Sequence, residues 1–265
     1  MKILIAGTDA RKNDASCRAQ DAPKLYSIMD SKKSIRDWDD KHLLMVDSGA
    51  HTYNKETITP VGYAQRKKIP PIKQYIEDYL NFIKQYKDRK YIWVELDIYG
   101  HLGLVEVDKM EERVKKLGIA GRWMRVYHPV LDGGSLDVMR KWIDEGHDYI
   151  GIGNDSKDIL DDIFNLTRDK IRLHGFAMTK LDLLHRYPFY SADSTTPLST
   201  IIFGKYTRPI MNYADKDAII KMKSVEAFQP DEERLFDSIA EAMKTQKYFT
   251  DLWKHRGVTW DDKLF

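Results

Sequence analysis

The sequence predicts an α/β fold, a closed TIM (β/α)8 barrel in a single domain that covers residues 1–265. Three observations support this prediction. Short apolar, β-rich runs recur along the chain, helical patterns separate most of them, and 265 residues match the size of such a barrel. Apolar strands that alternate with helices indicate a parallel sheet with both faces covered. The sequence contains no GxGxxG or P-loop pattern, which would have favoured an open, doubly wound sheet.

Seven runs have the composition of buried strands, and one further run could complete the barrel. Seven or eight strand-helix units in a chain of this length indicate closure rather than an open sheet. The seven strands are expected over residues 2–7, 42–49, 91–98, 122–129, 148–153, 171–179 and 189–195, and the eighth over 200–206.

Helical patterns lie between these strands. The clearest follows Pro70 and Pro71, where apolar residues from Ile72 to Tyr86 fall at the three-and-four spacing of one helix face. A helix over 107–118 is expected to end on Gly118, and Ser135 is expected to be the N-cap of the next. The further helical segments are 135–146, 155–169, 179–187 and 231–249.

Composition limits the partners and the compartment. With 43 basic and 41 acidic residues, no overall field marks the chain as a nucleic-acid binder, so such a partner needs a local basic patch. The single cysteine, Cys17, excludes an internal disulfide and argues against a thiolate zinc site, which suits a reducing cytoplasm. No apolar stretch of about 18 residues is present, and the first apolar run is too short for a signal peptide. A cytoplasmic protein without a membrane partner is expected.

Polar residues end several of the expected strands, and in a barrel these ends meet at one mouth. Taken singly, each has a simpler explanation, since an Asp before Ser or Thr is often an N-cap and His174 could be structural. Caps do not require convergence on one pocket, however, and burying an unpaired carboxylate costs several kcal/mol. The strand-end residues are Asp47-Ser48-Gly49, Glu95, Asp97, His128, Gly151, Gly153, His174-Gly175 and Asp193-Ser194.

Two aspartates on opposite sides of such a mouth suit chemistry at a glycosidic carbon. One carboxylate attacks or stabilises the oxocarbenium-like centre, and the other, with a raised pKa, protonates the leaving group. From these residues alone, a barrel hydrolase of N- or O-glycosides remains an alternative. A catalytically silent nucleic-acid-binding barrel is another.

Four motifs, "VDSGAHT", "YIGIG", "HGFAMT" and "YSADSTT", follow one another along the chain, with Asp97 between the first two. In this order they resemble the tRNA-guanine transglycosylase superfamily, a TIM-barrel family. That family has an Asp-Ser-Gly-Gly-Phe type motif, an Asp after a middle strand, a glycine pair, a Met-Gly-Val-Gly type strand and a Phe-Asp-x-Val-x-Pro-Thr type motif. The resemblance spans about residues 43–196.

The resemblance implies a role for each matched residue. Asp193 resembles the nucleophile that attacks the anomeric carbon and forms a covalent glycosyl-enzyme intermediate. Asp47 resembles the general acid/base, and Asp97 the carboxylate that binds the amino and ring N–H edge of the purine. His128 stands where the family has a glutamine that contacts the base carbonyl. The other substrate-binding residues implied are Ser48, Gly49, Gly151, Gly153, His174 and Gly175, with the glycine pair letting the flat base approach closely.

Two departures from the family pattern concern the side of the site that would face the nucleic acid more than the base pocket. The tRNA enzymes carry a zinc subdomain with three cysteines, which this chain cannot build, so no metal and no cofactor is expected. Their Pro-Thr-Arg is replaced here by residues 194–196, Ser-Thr-Thr. Both features are similar to the DpdA-like branch of phages and bacteria, which exchanges guanine in DNA for a 7-deazaguanine such as preQ0. DNA and a free 7-deazaguanine base are the implied partners, in a bacterial or phage-infected cell. A small tRNA-guanine transglycosylase of the queuosine or archaeosine type is the alternative.

A DNA substrate has to present its guanosine outside the base stack before the anomeric carbon can reach Asp193. The candidates for phosphate binding are Arg66, Lys67 and Lys68 after the Asp47 strand, and Lys205 and Arg208 after the Asp193 strand. A solvated charged loop explains the same residues equally well. The sequence leaves open which 7-deazaguanine is inserted, the DNA context, and whether a homodimer or a helper protein is needed.

Overall fold

The computed structural model describes residues 1–7, 11–58, 70–168, 170–198, 205–210, 221–226 and 231–260. Eight parallel strands form a closed barrel in chain order, and the last strand pairs with the first. The predicted TIM barrel is therefore confirmed. The strands are β1 (Lys2–Ala6), β2 (Lys24–Ser27), β3 (Leu44–Asp47), β4 (Ile92–Val94), β5 (Trp123–Tyr127), β6 (Tyr149–Ile152), β7 (Arg172–Gly175) and β8 (Ser191–Ser194).

Helices cover the outside of the barrel. Those expected from the sequence are present, with ends that differ by a few residues. No helix in the described part of the chain is both long and apolar enough to cross a membrane. The helices are α1 (Arg11–Ala19), α2 (Ile28–Asp37), α3 (Ala50–Ile58), α4 (Ile72–Tyr86), α5 (Tyr99–Leu102), α6 (Leu104–Lys115), α7 (Asp137–Asp144), α8 (Leu160–Thr167), α9 (Leu181–Arg186) and α10 (Asp231–His255).

The barrel strand that the sequence did not predict is β2. The prediction that residues 200–206 complete the set of eight strands is wrong. β2 pairs with both neighbours, with Lys24 opposite Ile5 and Leu44. Residues Lys205–Ile210 instead form β9, which pairs antiparallel with β10 (Lys221–Glu226) in a separate two-stranded sheet; residues 200–204 lie outside the described ranges. β2 is short and begins with a lysine, so its composition did not indicate a buried strand. Lys24 is nevertheless fully buried, with Nζ over the Tyr26 ring at 4.8 Å from the centroid.

Two predicted helix ends can be compared with the backbone. Gly118, with φ of 77°, follows α6 in the left-handed conformation that commonly ends a helix. The expected N-cap at Ser135 is wrong by one position, because Leu136 occupies it with φ of 65°. The Ser135 hydroxyl still accepts a bond from the Asp137 N–H at 3.4 Å, so it helps to begin α7 from one residue further back.

The barrel interior is filled by side chains at alternate strand positions. Leu4, Met45, Ile92 and Met124 belong to one buried cluster there, which Trp260 covers from the C-terminal segment. Tyr149 begins β6 and Tyr190 directly precedes β8, with their ring centroids 5.4 Å apart and the ring planes nearly perpendicular. These aromatic rings form the floor of the barrel, so polar side chains at the opposite, C-terminal ends are the ones that a ligand can reach.

Glu95 does not join the mouth, although it follows β4. It is fully buried on the helix side of the sheet, where its Oε2 lies 2.6 Å from Nε of Arg125. The Arg125 guanidinium also pairs with Asp108 and Glu111 of α6 and lies over the ring of Trp142. Glu95 is thus a structural ion-pair partner that ties β4 and β5 to the surrounding helices.

Candidate active site

Three aspartates share the C-terminal mouth of the barrel. Asp47 ends β3, Asp97 follows β4 and Asp193 lies in β8. Burial, and then the negative charges of Asp97 and Asp193, raise the pKa of Asp47 to about 7, although the backbone N–H groups of Gly49 and Ser48 oppose the rise. A carboxyl group with this pKa holds or releases a proton near neutral pH. Asp97 and Asp193 therefore lie near enough to Asp47 for their charges to act on its carboxyl group.

Asp193 is held by the backbone of the preceding loop. Its side chain is 10% exposed, and its Oδ1 accepts a hydrogen bond from the N–H of Ala177 at 2.8 Å. Ala177 has φ of 53°, a left-handed conformation that is uncommon for a residue with a Cβ. Nε2 of His174 lies 3.5 Å from the same Oδ1. The contacts described for this carboxylate are made by Oδ1, and in the described part of the chain no hydrogen bond engages Oδ2.

His174 lies behind Asp193, inside the barrel. It is fully buried, and its Nδ1 is 2.7 Å from the hydroxyl of Ser191. Its ring meets that of Phe176 edge to face, with centroids 4.5 Å apart. His174 therefore contacts the side chain of Asp193 rather than an open surface.

A second histidine links two carboxylates at the rim of the mouth. Nε2 of His128 lies 3.0 Å from Asp97 Oδ2, and its Nδ1 lies 3.1 Å from both carboxylate oxygens of Asp155. Burial lowers the pKa of His128, but the hydrogen bonds with Asp155 and Asp97 outweigh it and raise this pKa to about 10. His128 is thus an imidazolium at neutral pH, and both of its donors are occupied. For His128 to contact a base carbonyl, as the sequence predicted, it must first break its hydrogen bond with one of the two carboxylates.

The charge of His128 can be measured directly. We expect its imidazole protons to show no deprotonation in an NMR titration below about pH 9, because both carboxylates stabilise the charged ring. Asp155→Asn removes the larger of the two hydrogen-bonding effects and should bring the titration toward the ordinary histidine range. Deprotonation of His128 near pH 6.5 in the wild type would contradict the arrangement.

Three of the four glycines predicted in the pocket make room for other side chains. A Cβ at Gly151 would lie 2.6 Å from the ring of Phe176, and one at Gly153 would lie 2.6 Å from the ring of His128. A Cβ at Gly175 would lie 2.8 Å from Phe189 in the outer core. Real Cβ atoms essentially never approach so closely. In this structure Phe176 and His128 fill the space over the glycine pair, so a flat ligand would approach these rings rather than the glycine backbone.

Ser48 and Gly49 shape the turn from β3 into α3. Ser48 is fully buried, its hydroxyl accepts from the Ala50 N–H at 3.4 Å, and its carbonyl accepts from the Tyr75 hydroxyl at 2.5 Å. Gly49 has φ of 82°, and a Cβ there would lie 2.3 Å from Cγ of Met29. The turn therefore needs glycine both for its conformation and for the contact with α2.

Gly49→Ala is expected to destabilise the fold by about 1–3 kcal/mol in urea unfolding, because it combines backbone strain with overpacking. Gly103→Ala is the matched control, since Gly103 has φ of 75° but no atom within 4 Å of its Cβ position. The difference between the two variants measures the contact with Met29. Equal losses of stability would show that only the backbone conformation matters.

The predicted phosphate-binding residues remain predictions. Arg66, Lys67 and Lys68 lie outside the described residues. Lys205 and Arg208 lie in β9, where the register places Arg208 opposite Lys223 and Lys205 opposite Glu226. The positions of their side chains are outside the described part of the structure.

Sequence reasoning missed four residues at or below the mouth. Asp155 follows Gly153 by two positions on a short 3-10 segment, Asn154–Ile159, and a carboxylate this close to a strand-end glycine was the available signal. Ser191 lies two positions before Asp193 and therefore faces the same side of β8. The N–H of Ala177 and the hydroxyl of Tyr149 gave no signal, since a backbone donor and a core tyrosine look ordinary in any sequence.

The resemblance to the transglycosylase superfamily remains a prediction from the sequence motifs. Over the ranges that the structure describes, no group of three or more His, Cys, Asp or Glu residues could hold a metal ion. In comparisons with known proteins, no protein-family model matches the chain, and no curated protein matches it either.

Proposed function

We propose that this protein is a base-exchange transglycosylase that replaces guanine in DNA with a 7-deazaguanine of the preQ0 type. The observation that carries the proposal is the pair formed by Asp47 and Asp193. Asp47 has a pKa of about 7 and shares its mouth with a second carboxyl group, fixed through one oxygen by a backbone N–H. Two carboxyl groups in different environments suit an acid/base and a nucleophile at one glycosidic carbon.

The proposed reaction has two displacements. Oδ2 of Asp193 forms a bond to C1′ of the deoxyribose while the C1′–N9 bond breaks, and the departing guanine takes that electron pair and a proton from Asp47. The incoming base then gives its N9 proton to the Asp47 carboxylate and attacks C1′. The bond from C1′ to Asp193 breaks, and the carboxylate is restored. Each displacement inverts C1′, so the exchange retains the β configuration.

Asp97 is the proposed partner of the purine edge. Its Oδ2 is held by the imidazolium of His128, so the carboxylate has a fixed orientation at the rim of the mouth. A carboxylate accepts two parallel N–H bonds from the amino group and ring nitrogen of guanine or a 7-deazaguanine. Phe176, partly exposed above Gly151, offers an aromatic wall against which the base can pack.

Support for DNA rather than tRNA comes from the sequence. The single cysteine cannot form the zinc subdomain of the tRNA enzymes, and residues 194–196 depart from their Pro-Thr-Arg on the nucleic-acid side of the nucleophile. The covalent intermediate must also survive until the second base arrives. The target nucleotide, turned out of the stack, has to exclude water from Asp193 during that interval.

The test supplies labelled preQ0 with duplex DNA and with tRNA in parallel reactions. The proposal expects label in DNA, loss of one guanine for each base incorporated, and a denaturation-resistant adduct between protein and DNA. Label in tRNA alone would identify the tRNA alternative instead. Release of guanine or sugar without incorporation would identify a hydrolase. A reaction that gives no adduct and no incorporation would contradict the proposal.

A further inference from the structure

We propose that Ser191 and Tyr149 are positioning residues for the nucleophile, which hold His174 in the tautomer that carries its proton on Nε2, facing Asp193. The kinetic part of this inference rests on the proposed function of Asp193. The tautomer itself does not, because it is a property of the protein without substrate.

The residues form one buried line through the barrel, from its floor to its mouth. The Tyr149 hydroxyl lies 2.5 Å from the Ser191 hydroxyl, which lies 2.7 Å from Nδ1 of His174. Nε2 of the same ring lies 3.5 Å from Oδ1 of Asp193. Sheet register fixes this order, since Ser191 pairs with His174 across β7 and β8 and lies two positions before Asp193. Tyr149, Ser191 and His174 are all buried.

The protons available on these groups determine which atom donates in each hydrogen bond. Burial raises the pKa of Tyr149, so its hydroxyl keeps the proton and can donate to Ser191. Ser191 then donates to Nδ1 of His174, which leaves the ring proton on Nε2. The opposite arrangement would place the Nε2 lone pair against a carboxylate oxygen, so two acceptors would face each other in a buried site.

The buried Nε2 makes no hydrogen bond within the described residues at its present distance. Its nearest charged neighbour is the oxygen that already accepts from Ala177. A small shift of Asp193 on binding substrate would give Oδ1 two donors. Both donors favour the carboxylate over the ester, so they help Asp193 to leave C1′ when the second base attacks. They also turn Oδ2, rather than Oδ1, toward the sugar.

The first experiment needs no substrate. Nitrogen NMR of histidine-labelled protein reports which ring nitrogen carries hydrogen, and His174→Gln assigns the signal. We expect His174 to be the Nε2–H tautomer in the wild type. We expect Ser191→Ala to give a mixture of tautomers, because Nδ1 loses its donor while the Asp193 carboxylate still favours a proton on Nε2. A wild-type Nδ1–H tautomer would overturn the inference, as would an unchanged signal in Ser191→Ala.

The second experiment compares kinetics in matched variants. Ser191→Ala should lower the turnover of base exchange by about tenfold to a hundredfold with an unchanged KM for DNA, as expected for a group that acts through another residue. Tyr149→Phe should act in the same direction but less, since Ser191 keeps its hydrogen. The matched control is Tyr91→Phe, which removes a buried hydroxyl bound to the carbonyls of Ile35 and Trp38, outside the barrel.

The control separates positioning from stability. Tyr91→Phe should keep wild-type turnover and the wild-type His174 signal, even if it lowers stability as much as Tyr149→Phe does. Equal turnover losses in the two tyrosine variants would overturn the inference. If the wild type has no exchange activity, the proposed function fails, and the tautomer of His174 still decides the positioning.

Discussion

Asp193→Asn is expected to abolish both base exchange and the covalent DNA adduct. The amide keeps the shape of the side chain, and its oxygen can still accept from the Ala177 N–H, as Oδ1 does in the wild type. It cannot supply the negative oxygen that bonds to C1′. Loss of a catalytic nucleophile lowers turnover by about 10⁴-fold or more. Denaturing gels of protein mixed with guanine-containing duplex measure the adduct, and label incorporation measures the exchange.

The control for this prediction is Asp182→Asn, an exposed carboxylate in the first turn of α9. It changes the net charge equally and should leave adduct and exchange at wild-type levels. Unfolding curves establish that both variants are folded. Exchange that persists in folded Asp193→Asn would remove Asp193 from the mechanism, and with it the proposed double displacement.

Asp47→Asn is expected to slow adduct formation by about 10²- to 10⁴-fold, the usual contribution of a general acid. In the wild type the same step should depend on pH with an apparent pKa near 7. Asp47 donates only when protonated, so the rate of adduct formation falls as pH rises above this value. The second displacement needs the ionised form and slows below it. Complete exchange should therefore be fastest near neutral pH, whereas single-turnover adduct formation should fall on the basic side alone.

A neighbouring variant tests the electrostatic origin of that pKa. Asp97→Asn removes the like charge that contributes most after burial, so the basic limb of adduct formation should move to lower pH. The limb should not return to the range of an ordinary aspartate, because burial is the larger cause. Adduct formation that is independent of pH from about 6 to 9 would show that Asp47 is not the acid.

The sequence predicted the barrel well where strands were apolar and helices began at strong signals. α4 follows two prolines and carries an apolar stripe, so local pattern alone defined it. β2 was missed because a buried lysine opens a strand of four residues. Its identity as a strand depends on pairing with both neighbours, which is a tertiary property that composition does not encode.

For the candidate site, the sequence predicted which strand ends carry the aspartates but not how their side chains are held. Asp47, Asp97 and Asp193 could be predicted because parallel strands bring their C-terminal ends to one mouth. The imidazolium bridge from Asp97 to Asp155 depends on a loop conformation after β6, and the donor from Ala177 depends on a positive φ. Neither follows from residue type or spacing.

The pairing of β1 with β8 bears on how the protein reaches its active state. Lys2 lies opposite Ser191 and Leu4 opposite Asp193, so β1 holds the strand that carries Asp193. During synthesis, nearly two hundred residues are added after β1 before β8, its partner strand, is complete. Contacts so distant in sequence form late in folding, because the intervening chain must first be ordered. Nascent or partly folded chains would therefore lack the proposed nucleophile in its native position, and the proposed base exchange would arise only in the closed barrel.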